Sequence, residues 1–291
     1  MSKVSIITAS YNYENYIKET IESVIAQTFQ DWEMIIVDDG STDNSVDVIK
    51  SYSEKDSRIK LFKHENGVNR GLAETLQLGI KHASSDWVAF LEYDDTITPE
   101  YLTEKFNIIE KYPDVDFIFN DLNMFGDEDV IADTQCYFVK QKGILKRYQF
   151  PTNLLEAFKG THANLISTFS CVMAKKCSLQ DLNYKSPIKS CLDWWLWLQI
   201  VCKSQMYYID KPLTNWRMHK SSYINCDTSN QIDSTLFEIS RNYFLHDKSA
   251  IIKNILLLFN LIRKNIIRIH IKKSGIEIIL FGSSVLKIGS C

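Results

Sequence analysis

Two groups of carboxylates in this sequence each follow directly on a short apolar segment. The pair Asp38 and Asp39 follows residues 34–37, and a second group at residues 92–95 follows residues 87–91. Carboxylates that cluster in this way repel one another unless a cation or a hydrogen-bond donor lies between them. The sequence therefore predicts a site that holds a metal ion together with a polar ligand.

The apolar segments that precede these carboxylates are typical of interior strands in a parallel sheet, because each is too short for a helix and is bounded by polar residues. Strands are predicted at residues 4–8, 34–38, 59–62, 87–91 and 117–120, and helices at residues 13–27, around 46–49, at 72–83 and at 98–112. This alternation predicts an α/β fold with a doubly wound, Rossmann-like and mostly parallel sheet. In such sheets, ligands bind beyond the carboxyl ends of the strands.

The regular alternation ends near residue 105, and this change predicts two halves of one domain. Residues 1–105 form the regular half, and residues 106–245 form an irregular half that we expect to hold the more variable substrate. Residues 246–291 are expected to form a separate C-terminal tail.

The tail differs in charge from the rest of the chain. From residue 245 onward, eight Lys and Arg residues stand against Asp247 and Glu277, although the whole chain carries a net charge of −3. The spacing of apolar and basic residues between positions 249 and 273 predicts a basic amphipathic helix. Such a helix fits the surface of an anionic membrane, but its apolar runs are too short to span one.

The cysteines and the N-terminus indicate a cytoplasmic protein. Seven cysteines without a CxxC pair favour reduced thiols in a cytosolic compartment and make a zinc site unexpected. The first residues enter a strand at once and lack the apolar core of a signal peptide. We therefore expect the protein in the cytoplasm, bound peripherally to the inner face of the cytoplasmic membrane through its tail.

Glycine-rich phosphate loops are absent from the sequence. It contains no GxGxxG after the first strand and no Walker A motif, so neither dinucleotide binding nor a P-loop is predicted. Any phosphate that binds here would need a metal ion, which agrees with the two carboxylate groups.

The motifs of the chain, taken in their order, resemble those of the family 2 inverting glycosyltransferases of GT-A fold, in particular the members that build bacterial surface polysaccharides. The segments that carry the resemblance are residues 4–12, 27–29, 37–43, 66–67, 92–95, Asp193 and residues 217–219. The resemblance covers residues 3–220. It implies that residues 1–105 bind a nucleotide sugar and that residues 106–245 bind the acceptor.

The resemblance implies a nucleotide site along the first strands. Tyr11 would pack on the base and Asp39 would accept a hydrogen bond from its N3–H, a group that uracil or thymine has. The other residues implied to contact the nucleotide are Thr8, Ser10, Asp38, Arg70, Asp94 and Arg217. Two alternatives remain open from the residues alone: Tyr11 as a surface loop tyrosine, and Asp38 as a turn residue that caps the next helix.

The resemblance also implies a metal site at residues 92–95, where the family has its DxD element. Glu92 stands in place of the usual first Asp, and Asp94 is the expected ligand, with Glu92, Asp95 and His219 as further candidates. Carboxylate oxygens suit Mn²⁺ or Mg²⁺, which would neutralise the diphosphate leaving group. Alternatively, Asp95 belongs to an acidic loop that caps the helix after residue 98.

The resemblance makes Asp193 the general base. Inverting transfer requires one carboxylate near the acceptor hydroxyl, and Leu192 stands where relatives carry a second acid. A helix N-cap is the alternative role for Asp193, and core packing is the expected role of Trp194, Trp195 and Trp197.

The leading hypothesis is an inverting glycosyltransferase that moves a hexose or N-acetylhexosamine from a UDP-sugar to a hydroxyl of a growing, lipid-linked glycan such as a lipopolysaccharide or capsule. The alternative is a non-catalytic protein that binds a nucleotide sugar or a glycan on the same fold. A sugar nucleotidyltransferase would require a glycine-rich triphosphate loop, which the sequence lacks. No contact with nucleic acid is expected.

Overall fold

The computed structural model describes residues 3–161, 163–220, 231–245, 267–272, 275–280 and 284–289. Its first eight strands are β1 (Val4–Ser10), β2 (Trp32–Asp38), β3 (Ile59–Lys63), β4 (Trp87–Phe90), β5 (Thr96–Ile97), β6 (Phe117–Gly126), β7 (Val172–Lys175) and β8 (Met206–Met218). The helices of the same region are α1 (Ile17–Ile25), α2 (Ser45–Ser53), α3 (Leu72–His82), α4 (Tyr101–Lys111), α5 (Glu128–Leu145), α6 (Leu155–Lys159), α7 (Lys176–Gln180), α8 (Leu192–Ile200) and α9 (Gln231–Phe244).

One sheet runs through both predicted halves, with the strand order β3-β2-β1-β4-β7-β6-β8-β5. Four of its pairings are parallel, β1 with β2, β1 with β4, β2 with β3 and β6 with β8, whereas β7 and β5 pair antiparallel to their neighbours. The structure therefore confirms the predicted α/β fold with a mostly parallel sheet. Because β2 and β4 flank β1 and run parallel to it, the carboxylate groups that follow them lie at one edge of the sheet.

Both faces of the sheet are buried, which explains the continuous apolar runs of its strands. Along β2, Ile35 and Val37 belong to the core on one face, whereas Met34 and Ile36 belong to the core on the other. Successive side chains of a strand point to opposite faces, so a strand that is covered on both sides reads as apolar throughout. This packing fixes where each strand ends and hence where its terminal carboxylates lie.

The second half contains more regular structure than the sequence predicts. Strand β6 extends to Gly126, and the polar stretch that follows it forms the 18-residue helix α5. Most of its side chains are exposed, and among the few that are buried are Gln141 and Leu145. A helix with so narrow a buried face carries little hydrophobic periodicity, which is why the pattern indicated irregular structure.

The helix predicted over residues 249–273 is wrong where the structure describes it. Strands β9 (Ile267–Lys272), β10 (Gly275–Leu280) and β11 (Ser284–Gly289) form an antiparallel three-stranded sheet. Isoleucine occupies every second position from Ile267 to Ile271, and this period of two favours a strand. Residues 249–266 of the predicted helix lie outside the described residues.

None of the helices in the described ranges is long and apolar enough to cross a membrane.

Candidate active site

A cavity of about 1410 Å³ opens at the carboxyl ends of β1, β2 and β4, with helix α3 and the segment before α8 as its walls. The predicted site residues that line it are Ser10, Tyr11, Asp39, Arg70 and Glu92. The remaining predicted residues lie outside its lining: Thr8, Asp38, Asp94, Asp95, Asp193, Arg217 and His219. The cavity thus brings Asp39 and Glu92, one residue from each carboxylate group, together at one edge of the sheet.

Asp39 is held by backbone amides at the end of β2. Its carboxylate accepts hydrogen bonds from the backbone N–H groups of Arg70 at 2.6 Å and Gly71 at 2.9 Å. Gly40 makes this loop contact possible, because its φ is +81° and a Cβ there would lie 2.8 Å from the backbone of Asn69. The Arg70 side chain is exposed on the cavity rim, 3.8 Å from Glu74.

His64 is a site residue that sequence reasoning missed. The Thr75 hydroxyl donates to the carbonyl of Gly71, so its oxygen accepts from His64 Nε2 at 2.9 Å, and the imidazole carries its proton on Nε2. The same Nε2 lies 3.5 Å from Asp39 Oδ1. Because His64 directly follows β3, its place at the carboxyl end of a parallel strand was the signal available in the sequence.

Asp38 stabilises the turn that follows β2. Its carboxylate accepts from the backbone N–H groups of Gly40 and Ser41, each at 3.3 Å, which is the turn role left open from the sequence. The hydroxyls of Thr8 and Ser10 are buried without a hydrogen-bond partner among the described residues. Ser10 also lines the cavity, with its hydroxyl oxygen buried.

Glu92 lies at the floor of the cavity, where the 3-10 turn at Phe169–Cys171 holds it. The Thr168 hydroxyl donates to its carboxylate, and its backbone N–H donates to Ser170 Oγ at 2.9 Å. Burial, together with the neighbouring charge of Asp94, raises the pKa of Glu92 to about 8. A carboxylate in this environment is stabilised when a cation or a proton comes close.

Asp95 is turned into the protein and ties three segments together. Its carboxylate accepts from Ser170 Oγ at 2.6 Å and from the backbone N–H of Arg217 at 2.9 Å, and the side chain is fully buried. Burial raises its pKa well above the ordinary range. Because Asp95 is fully buried and lies outside the cavity lining, we give it no role in the metal site that we propose below.

Asp94 and His219 form a contact that links the acidic loop to the end of β8. His219 Nε2 lies 2.9 Å from Asp94 Oδ2. Two neighbouring ligands of an octahedral cation with bonds of 2.0–2.1 Å lie about 3 Å apart, so this spacing fits an ion such as Mg²⁺ or Mn²⁺. No group of three or more such ligands occurs in the described part of the chain, so substrate phosphate and water would have to supply the rest.

Arg217 supports the acidic loop from outside the cavity. Its Nε donates to the carbonyl of Asp94 at 2.8 Å, and its guanidinium pairs with Glu19 and stacks 4.6 Å from the ring centre of Tyr16. The Nε contact fixes the backbone that carries Asp94.

Asp193 lies in the first turn of α8, which begins at Leu192, and not at its N-cap. Asn164 Nδ2 donates to its carboxylate at 2.7 Å. The carbonyl of Asn164 accepts from the Gln141 side chain of α5, and Gln141 accepts from Ser167 Oγ at 2.8 Å. Side chains from two other segments, the loop at residues 164–167 and α5, therefore position this carboxylate.

The surroundings of Asp193 keep its carboxylate basic. Burial raises its pKa to about 7, and hydrogen bonds from the backbone N–H of Trp194 and from Asn164 offset part of that rise. Its charge contributes to the raised pKa of Glu92, so the two carboxylates lie within electrostatic reach of each other. A carboxylate with a pKa near neutrality is suited to general base catalysis.

The tryptophans after Asp193 belong mainly to the core. Trp195 and Trp197 are fully buried, and Trp194 packs 4.8 Å from the ring centre of Phe237 in α9. The aromatic cluster thus anchors the helix that carries Asp193.

Comparison with known proteins identifies relatives of this architecture. The model of the family "Glycosyl transferase family 2" matches residues 5–180. An uncharacterized glycosyltransferase of Rickettsia felis is 28% identical over 220 residues, which are 74% of this chain and 34% of that protein. The chain thus spans about a third of the length of this curated relative.

Two solved structures share the fold. The S. aureus TarS fragment 1-349 in complex with UDP-GlcNAc has a TM-score of 0.59 at 15% identity, with 99% of this chain and 100% of that chain covered. Glucosyl-3-phosphoglycerate synthase from Mycobacterium tuberculosis, in complex with Mn²⁺ and UDP-glucose, has a TM-score of 0.54 at 14% identity, with 82% of this chain and 79% of that chain covered. Both confirm the GT-A type of fold.

Proposed function

The chain belongs to glycosyl transferase family 2, and from this premise we propose that it is an inverting glycosyltransferase that uses a UDP-sugar. The proposed reaction transfers a hexose or N-acetylhexosamine to a hydroxyl of a growing glycan. One observation carries this proposal. A single cavity extends from Asp39 and Tyr11, where the nucleobase is proposed to bind, to Glu92 and the start of α8, the helix that bears Asp193.

The donor end of the cavity favours a uracil nucleotide. Tyr11, with 41% of its surface exposed, offers an aromatic face for stacking, and Asp39 offers a carboxylate to a ring N–H. Asp39 is already fixed by two backbone N–H groups and by His64, so it is preorganised for this contact. The structural relatives that hold UDP-GlcNAc and UDP-glucose support the same choice.

Asp193 is proposed to accept the proton of the attacking hydroxyl. As the acceptor oxygen forms its bond to the anomeric carbon, the bond from that carbon to the UDP oxygen breaks on the opposite face. The hydroxyl proton passes to Asp193, whose pKa of about 7 leaves much of it ionised at neutral pH. The products are the glycosylated acceptor, with inverted anomeric configuration, and UDP.

We assign Asp94 and His219 as the residues that would hold Mn²⁺ or Mg²⁺. The metal would supply positive charge that neutralises the diphosphate leaving group. Glu92 is oriented by Thr168 on the floor of the same cavity, and a cation bound nearby would favour its ionised form.

The acceptor is proposed to be a lipid-linked glycan of a bacterial surface polysaccharide, and the basic tail to bind anionic membrane from the cytoplasmic side. The basic composition of residues 246–291 supports this part of the proposal. Flotation with liposomes of anionic and neutral lipid tests it. The full chain is expected to float with anionic liposomes, and a chain that ends at residue 245 is expected to remain in the bottom fraction. Equal flotation of the two would contradict membrane binding by the tail.

A donor screen tests the catalytic proposal. UDP release is measured for a panel of UDP-sugars and GDP-mannose, with Mn²⁺, with Mg²⁺ and with a chelator. The expected result is metal-dependent UDP release from at least one UDP-sugar, and its loss in Asp193→Asn. Tight UDP binding without release from any donor would instead favour the non-catalytic binding protein. Two residues motivate this alternative: Glu92 stands where relatives carry Asp, and Leu192 stands where relatives carry an acid.

A further inference from the structure

The cavity has a basic outer rim that the donor does not require. Four lysines line it, and we call them the lysine rim: Lys63, Lys81, Lys185 and Lys189. All four side chains are exposed, and within the described residues none of them makes an ion pair with a carboxylate.

The acidic residues of the cavity do not neutralise this rim. Asp39 and Glu92 lie deep in the cavity and are engaged by His64 and Thr168, respectively. Glu74 on the rim pairs with Arg70, and Glu65 is the remaining rim carboxylate. Unpaired ammonium groups around a cleft raise the local concentration of anions there. The cavity therefore attracts a negatively charged ligand at its mouth.

Lys185 and Lys189 are carried by a segment that is fixed to helix α8. The carbonyl of Asn183 accepts from Trp195 Nε1 at 2.6 Å and from Gln199 Nε2 at 3.0 Å, and its N–H donates to Gln199 Oε1 at 2.8 Å. The buried Tyr184 hydroxyl donates to the carbonyl of Leu179 at 3.0 Å. The two lysines are thus carried by a segment that is tied to the helix of Asp193, the residue proposed to face the acceptor.

Lys81 lies on the opposite wall, near the end of α3. That end is fixed where Lys176 Nζ donates to the carbonyl of Ala83 at 2.6 Å. Both walls that bear the lysine rim are therefore anchored, and their spacing is set by the fold. An anion between them would meet positive charge from two sides.

From these contacts we propose that the acceptor carries an anionic group, a phosphate or a carboxylate, close to the hydroxyl that is glycosylated, and that Lys185 and Lys189 bind it with Lys81 opposite. This inference rests on the proposed function, since it assigns the substrate class of the same site. Lysine suits this role because its ammonium is a strongly hydrated point charge that does not demand one anion geometry.

The test measures binding of charged and neutral probes while UDP and Mn²⁺ occupy the donor site. Hexagalacturonate supplies carboxylates, maltohexaose is its neutral counterpart, and inorganic phosphate is the competitor. Wild-type protein is expected to bind hexagalacturonate about tenfold more tightly than maltohexaose. Higher salt is expected to weaken this binding, and phosphate is expected to compete with it.

The double variant Lys185→Gln with Lys189→Gln is compared with Lys55→Gln plus Lys111→Gln, which removes the same charge from exposed sites outside the cavity. The first variant is expected to lose the tenfold preference, and the control is expected to keep it. The proposal would be overturned if both variants lost the preference for hexagalacturonate equally, or if the wild-type protein showed no such preference. A tenfold rise in the UDP Kd of the first variant would also overturn it, because the lysines would then belong to the donor.

Failure of this inference is separable from failure of the proposed function. UDP release without any acceptor reports on donor chemistry and does not need the lysine rim. If the wild-type protein releases UDP but shows no preference for the charged probe, only the acceptor class is wrong. If it binds the charged probe through the rim but releases no UDP from any donor, the proposed transferase activity is wrong.

Discussion

The two halves of the site hold their carboxylates in different ways. In the first half, Asp38 and Asp39 are fixed mainly by backbone N–H groups of nearby loops. In the second half, Asp193 depends on a side chain from a separate segment, Asn164. The proposed donor recognition therefore depends on local loop geometry, whereas the strength of the proposed base depends on how remote segments pack.

This difference predicts that substitutions in the two halves separate binding from turnover. A change at Asp39 should weaken nucleotide affinity, and changes at the side-chain-held base should slow the chemical step or move its pH dependence.

The largest effect is expected for Asp193→Asn. The amide cannot accept the hydroxyl proton, so kcat should fall by about 10³-fold, within the range usual for loss of a general base. The Kd for UDP should stay within about twofold of the wild-type value, because Asp193 lies outside the cavity lining. Steady-state rates and calorimetry measure the two quantities, and a variant with more than a tenth of wild-type activity would contradict the role of Asp193.

The next effect is expected for Asp39→Ala. It removes the proposed base contact and leaves the N–H groups of Arg70 and Gly71 without their acceptor. UDP affinity should fall by about 10- to 100-fold, the usual consequence of losing hydrogen bonds to a charged group. Asp38→Asn is the matched control, because its amide oxygen can still accept from the turn, and it should leave the UDP Kd nearly unchanged. Equal losses in both variants would show that the turn, and not the base contact, sets the affinity.

A pH effect is expected for Asn164→Ala. The base must be ionised to act, so kcat/KM should rise with pH through the Asp193 pKa of about 7. Loss of the Asn164 hydrogen bond destabilises the carboxylate and raises that pKa, which should move the midpoint to higher pH by about one unit. Asn164→Asp should move it further, since it adds a like charge. If the midpoint is unchanged in both variants, Asn164 does not influence the pKa of the base.

The smallest effect is expected for Gln141→Ala, which acts on Asp193 only through Asn164. The midpoint of the pH profile should rise by less than in Asn164→Ala, by about half a unit at most. Val139→Ala is the control on the same helix, because its side chain is 62% exposed. A shift of the same size in the control would indicate a general disturbance of α5.

The sequence predicts most of the first half because its information is local. Apolar runs that end in Asp38 and Glu92 locate the strand ends, and the parallel sheet then places those ends at one edge. The contact of His64 with Asp39 was not predicted, although its position after β3 follows the same rule.

The second half is less predictable for physical reasons. Asn164 contacts Asp193, and Gln141 of α5 contacts Asn164, only after these segments have packed together. The local sequence indicates neither contact. Asp95 has the same residue type and nearly the same position as Asp94, yet tertiary contacts turn it inward to Ser170. Residue type and spacing therefore identify the candidates, and packing decides which of them face the site.

The most direct test of the account is the anomeric configuration of the first product. With an α-linked UDP-sugar as donor, proton NMR during early turnover should show a β-linked product, as required when one displacement is assisted by a single base at Asp193. A product that retains the α configuration would contradict the account, because retention requires a route other than a single in-line displacement.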